Sequence, residues 1–128
     1  MKTKRELIYA KECYRIIGIC FEVYNEIGYS HKEKFYQEAI AKCFIDKRIE
    51  FKKELKVRVK FKEKDLGIYF LDFLVFDKIV VEIKKRNYFS IKDIRQLNAY
   101  LKATGLKLGL LIHFTNNGVK YRRIVNLK

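Results

Sequence analysis

The sequence predicts an α/β fold, a mixed sheet flanked by helices, and three observations carry that prediction. Apolar residues recur at spacings of three and four up to Lys47, and again between Ile91 and Thr104, which is the helical period. Elsewhere they alternate every second residue, the period of a strand. The resulting order is α-α-β-β-β-α-β-β, and the single helix between strands supplies the crossover that parallel pairing requires.

The first helix is predicted from about Arg5 to Glu26, with Leu7, Ala10, Tyr14, Ile17, Phe21 and Tyr24 as its buried stripe. Gly28 is a good terminator. The second helix runs from about Lys32 to Lys47, with Tyr36, Ile40, Cys43 and Phe44 on one face. In ELKVRVKFK, Leu55, Val57, Val59 and Phe61 alternate with Lys56, Arg58, Lys60 and Lys62, which defines a strand. GIYFLDFLVF and KIVVEIK are two further strands, joined by a tight turn near Asp77. The third helix spans Ile91 to about Thr104, turns Ile94, Leu97 and Leu101 inward, and stops at Gly105. KLGLLIHF is then a buried strand, NNG a turn and VKYRRIVNL an edge strand.

Composition narrows the function. The 128 residues suit one domain, 1–128, and a hydrophobic content of 49% excludes a disordered basic tail. With 29 Lys+Arg against 15 Asp+Glu, the net charge of +14 calls for a polyanionic partner. No apolar run approaches the roughly 20 residues of a spanning helix and no signal-peptide pattern opens the chain, so no membrane partner is expected and the expected location is the cytoplasm. Cys13, Cys20 and Cys43 show no metal-binding spacing and lie beside apolar helix residues, as buried free thiols do. His31 and His113 are far apart in sequence, and His113, at the end of an apolar strand, is read as a packing or hydrogen-bonding residue in preference to a metal ligand.

The chemistry is concentrated in one hairpin. Asp72 lies in the most apolar strand, and Glu82 and Lys84 lie in the next, although buried charges normally occur paired or bound to metal. A turn at Phe76 to Lys78 closes the hairpin with Val75 opposite Ile79. Counting back sets Asp72 opposite Glu82, with Lys84 about 6.7 Å further along the same face. Two apposed carboxylates repel, and a divalent cation between them removes the conflict. A plain salt-bridged triad, with Lys84 neutralising one acid, is the competing structural reading.

Asp72, nine residues, then Glu82-Ile83-Lys84 resembles the PD-(D/E)xK nuclease superfamily, whose core order αβββαβ, the restriction-endonuclease-like fold, is the order read above. Within it the chain is most similar to the GxxExxY proteins. The segments that carry this likeness are EKFYQEAI, LDFLVFDKIVVEIK and QLNAYLKATGLKLGLLIHF. The resemblance implies that Asp72 and Glu82 hold Mg2+ or Mn2+, with the Ile83 carbonyl as a third protein oxygen. Lys84 would then orient the attacking water or lower its pKa. It further implies that Glu33, the first-helix acid, joins the metal site or its surroundings, and that Gln96 and Tyr100 form the QxxxY element of RecB-type nucleases. Ser30 stands where the family has a glycine, and Leu71 where the superfamily's name has a proline.

Helix arithmetic agrees in part. Glu33 is three residues before Tyr36 and seven before Ile40, so it belongs to the apolar stripe. Gln96 and Tyr100 flank Leu97 and can point over the sheet, although a helix-start acid and a core-border Gln/Tyr pair are also ordinary structural features. Lys56, Arg58, Lys60 and Lys62 repeat about every 6.7 Å, near twice the 3.4 Å rise per nucleotide of a DNA strand. Lys85, Arg86, Lys92 and Arg95 cluster just past the hairpin. Lysines on an edge strand also guard against strand pairing. The expected function is a metal-dependent nuclease, acting on DNA in preference to RNA. The alternatives are a catalytically silent nucleic-acid-binding module and a homodimeric or protein-interaction domain on the same fold.

Overall fold

The computed structural model describes residues 3–4 and 8–127. Three helices among them, α1 (Ala10–Ile27), α2 (Glu33–Asp46) and α3 (Ile91–Thr104), flank a five-stranded mixed sheet. Its strands are β1 (Phe51–Phe61), β2 (Lys64–Val75), β3 (Ile79–Lys85), β4 (Leu108–Thr115) and β5 (Gly118–Val125), in the spatial order β1-β2-β3-β4-β5. β3 and β4 are parallel, joined by the α3 crossover, and every other pair is antiparallel. The predicted element order and mixed sheet are those observed. No helix among the described residues is long and apolar enough to cross a membrane.

Two apolar cores lie on opposite faces of the sheet. On one, α1 and α2 bury Cys20, Tyr36, Ile40 and Phe44 against Phe73, Val81, Ile83 and Ile112. On the other, α3 places Leu97 and Leu101 against Leu71, Val80 and Leu111. Gly109 lets α3 come close: a Cβ there would lie 2.8 Å from Leu97 Cγ.

The predicted stripe of α1 is displaced. Cys13, Ile16, Cys20 and Val23 are buried, whereas Tyr14 is 81% and Phe21 42% exposed. Stripes starting at Ala10 and at Cys13 have the same periodicity and differ by about 100° of rotation, one residue's turn, so spacing alone cannot choose between them. The compact thiol and β-branched side chains fit flat against the sheet, while the Tyr14 hydroxyl stays in water. The helix begins at Ala10, after Tyr9 in a left-handed conformation. The proposed start at Arg5 and the place of Leu7 fall outside the described residues. Gly28 ends α1 as predicted, at φ 72, its N–H bonding Tyr24 O. All three cysteines are free; Cys13 and Cys20 are buried, and Cys43 is half-buried.

A kink in the β1–β2 ribbon shapes the site. Phe51 and Phe73 face the α1/α2 core, but Leu55 and Leu71, further along the same paired strands, belong with the α3 core. Regular alternation would put Leu71 and Phe73 on one face. The reversal falls where Glu54, at φ 56, stands across from Asp72. β2 separates from β3 at the same point, because their pairing ends at Phe73↔Val81. β1 and β2 both begin earlier than the alternating patterns suggest, which makes this ribbon long, and its outer half is largely exposed.

Candidate active site

The hairpin register is the one expected, with Val75 opposite Ile79. One step past the last paired residues, Asp72 and Glu82 meet in the fork between the strands. Backbone groups that leave the ladder there need other partners, and the two carboxylates supply them. Asp72 N–H donates to Glu82 Oε1 at 2.9 Å, and Ile83 N–H donates to Asp72 Oδ2 at 2.7 Å. Lys84 follows on the Glu82 face, its Nζ 3.4 Å from Glu82 Oε2.

α2 contributes from the side. Glu33 Oε1 accepts the Lys85 N–H at 3.0 Å, and Gln37, one turn later, donates through Nε2 to Asp72 Oδ1 at 3.0 Å. Tyr36 fixes the start of this helix: its hydroxyl donates to Gly28 O at 2.6 Å, and its ring stacks on Phe114 at 4.5 Å. Gln37 was not foreseen, yet its position four residues after Glu33 puts it on the same helix face, which is the signal that would have found it.

The surroundings disfavour charge on both carboxyls. Burial, then the Asp72 charge, pushes the Glu82 carboxyl up to about 8. Asp72 is also pushed up, by burial and by Glu33, against the pull of the Ile83 N–H. Burial opposes the charge on Lys84, but Glu82, Glu33 and Asp93 outweigh it and hold its ammonium above the usual lysine range. Two apposed acids of this kind are under like-charge stress that a cation relieves. Among the described residues no cluster of three or more His, Cys, Asp or Glu side chains forms a full cage for a metal. The donor set therefore fits an ion that takes two carboxylates and completes its shell with backbone, water and phosphate oxygens, as Mg2+ does.

The remaining predicted residues surround this centre. Gln96 and Tyr100 lie half-buried on α3 beside Tyr69, whose hydroxyl is 3.5 Å from Gln96 O. Among the described residues neither side chain bonds the carboxylates. Lys56, Arg58, Lys60 and Lys62 are exposed on the outer ribbon, where Arg58 pairs with Asp65 at 3.4 Å. Lys85 lies over the Tyr29 ring at 4.5 Å, and Lys92 and Arg95 are exposed on α3. Arg86 is largely committed to the fold: it grips the buried Asp93 at 2.9 Å and covers Tyr88. Asp93, in the first turn of α3, was not singled out from sequence. His113 is packed as expected, 4.1 Å from the Phe89 ring, and burial and then Arg86 depress its pKa to about 4.

An αβββαβ core that opens at an aspartate on one strand and Glu-x-Lys on the next defines a class of nucleases. A sequence profile of the PD-(D/E)XK nuclease superfamily matches residues 10–124, and the chain belongs to that superfamily. Nucleases of this superfamily generally use divalent metal ions. Among solved structures it is similar to SSO0001, with a TM-score of 0.55 and 18% identity over 95% of this chain. It is also similar to an alkaline exonuclease (LHK-Exo) from Laribacter hongkongensis, with a TM-score of 0.51 and 16% identity over 73% of this chain. These likenesses speak to the fold, and the chain spans 61% and 55% of the respective structures. No curated protein matches.

Proposed function

We propose that this protein is a metal-dependent nuclease that hydrolyses phosphodiester bonds by water attack at the Asp72–Glu82–Lys84 fork. The observation that carries the reading is the carboxylate pair itself: buried, mutually repelling and joined by backbone hydrogen bonds, it is a poor structural device and a good cation site. Asp72, Glu82 and the Ile83 carbonyl would hold Mg2+ or Mn2+. Such an ion supplies a water of lowered pKa and neutralises charge on the phosphoryl oxygens.

The chain's own groups do the rest. Gln37 orients Asp72, and Glu33 anchors the backbone past Lys84 through the Lys85 N–H. Lys84, charged and close to Glu82, stabilises negative charge as it grows on the attacking oxygen and the phosphate. Gln96 and Tyr100 position substrate from α3. The Glu33-x-x-Tyr36 element supports placement with the GxxExxY proteins. The spacing of Lys56, Arg58 and Lys60 favours DNA.

The Lys84–Glu82 contact also provides an internal counter-ion, which favours a second reading, a silent nucleic-acid-binding module. Incubation with labelled single- and double-stranded DNA and RNA, in Mg2+, Mn2+ or EDTA, separates the two. The nuclease reading expects cleavage with either ion, none in EDTA and none by Glu82→Ala. Binding without cleavage under every condition would establish the module.

A further inference from the structure

On the α3 face of the ribbon, a groove of about 540 Å³ runs between α3 and the outer half of β1. That volume lies within the roughly 300–1,000 Å³ of small-ligand sites. Its floor carries Tyr69 and Tyr100, both half-buried. Ala99 and Ala103, one turn apart on α3 and both exposed, keep its outer wall low. Val57 and Val59 line its β1 wall, and Arg95 stands at its α3 edge. The groove and the carboxylate fork share strand β2. Tyr69 also precedes Asp72 by three residues on β2, about 10 Å along the strand.

We propose that this groove takes one unpaired base of a single-stranded nucleic acid, stacked on Tyr69 and Tyr100, while Arg95 holds a flanking phosphate. This deepens the nuclease reading and rests on it. Aromatic rings beside a cation suit a ligand that alternates flat apolar faces with anions, and a nucleic acid strand is such a ligand. Bases in a duplex are stacked on their neighbours and do not enter a side groove, so the substrate must offer a single-stranded segment next to the cleaved bond. Because stacking tolerates any base, the groove selects strandedness and not sequence.

The test uses oligonucleotides carrying 2-aminopurine, DNA and RNA, single-stranded and duplex, in EDTA so that binding is read without cleavage. The wild-type protein should quench the fluorescence of the single strands. The double variant Ala99→Leu with Ala103→Leu fills the groove from exposed positions. It should bind single strands about tenfold or more weakly, with duplex affinity and melting temperature unchanged. Ala99→Glu, which places an anion at the wall on a helix-compatible residue, should weaken single-strand binding in the same way. Undiminished single-strand binding by both variants, or absence of quenching by the wild type, overturns the groove. The nuclease reading is judged separately, by whether Glu82→Ala abolishes metal-dependent cleavage.

Discussion

Glu82 accepts the Asp72 N–H and at the same time crowds the Asp72 carboxylate, so its two roles respond oppositely to pH. Its folded pKa of about 8 lies above its ordinary value of 4.5, so without metal the folded state holds a proton that the unfolded chain releases. Stability from this group is full below pH 4.5 and is lost as pH rises through 8. His113 works the other way: its pKa falls from 6.5 to about 4, so it adds stability as pH rises across that interval. The two oppose each other between 4.5 and 6.5, and above 6.5 the carboxylate pair acts without His113. Metal-free protein should therefore lose stability from pH 6.5 to 8. Glu82→Gln keeps an acceptor for the Asp72 N–H and removes the charge. It should flatten that fall and stabilise the apo protein at pH 8 by on the order of 1–3 kcal/mol. Denaturant unfolding at several pH values in EDTA measures this, and a variant less stable than wild type at pH 8 would mean the charged pair holds the fold together. The residues of this pair were legible because charge in an apolar hairpin is anomalous whatever its geometry. Gln37 was legible only through its spacing from Glu33, and Asp93 was not legible, because polar residues in a helix's first turns are common and the tertiary fold decides which ones turn inward.

Elements translate these side chains into a site through the kinked ribbon. Hairpin register was readable because the turn length and two-residue period fix it, and β2 and β3 pair as counted. The fork was not, since the reversal at Glu54 and Asp72 is a backbone event with no alternation of its own to announce it. The α1 stripe failed for a different reason, two equivalent faces on one helix. Lys56, Arg58 and Lys60 of outer β1 are exposed, which gives a phosphate backbone access to them. Changing Lys56, Arg58 and Lys60 together to Glu should weaken nucleic-acid binding and reduce the slope of log affinity against log salt by about 2. A salt titration with an unchanged slope would return these side chains to the role of guarding an edge strand. α3 depends on Gly109, over which Leu97 packs. Gly109→Ala forces a contact of 2.8 Å, which should cost about 1–3 kcal/mol and shift Gln96 and Tyr100 with the helix. Thermal unfolding reads the cost, and unaltered stability would show that Leu97 can move aside.

For the whole molecule, the net charge of +14 predicts salt-dependent association with nucleic acid that is indifferent to sequence, so binding alone would say little about catalysis. The decisive distinction lies between holding a polyanion and breaking it. Lys84 separates the two, because it stands 3.4 Å from Glu82 and is one of 29 Lys+Arg. Methionine keeps much of its stem and removes its charge. The most direct measurement is the single-turnover cleavage rate of wild type and Lys84→Met on the same substrate at saturating Mg2+, with affinity measured in parallel. A metal-dependent nuclease built on this fork predicts nearly unchanged affinity and a rate lower by about 10²–10⁴-fold. Cleavage by Lys84→Met at the wild-type rate would contradict it, leaving Lys84 as a counter-ion for Glu82.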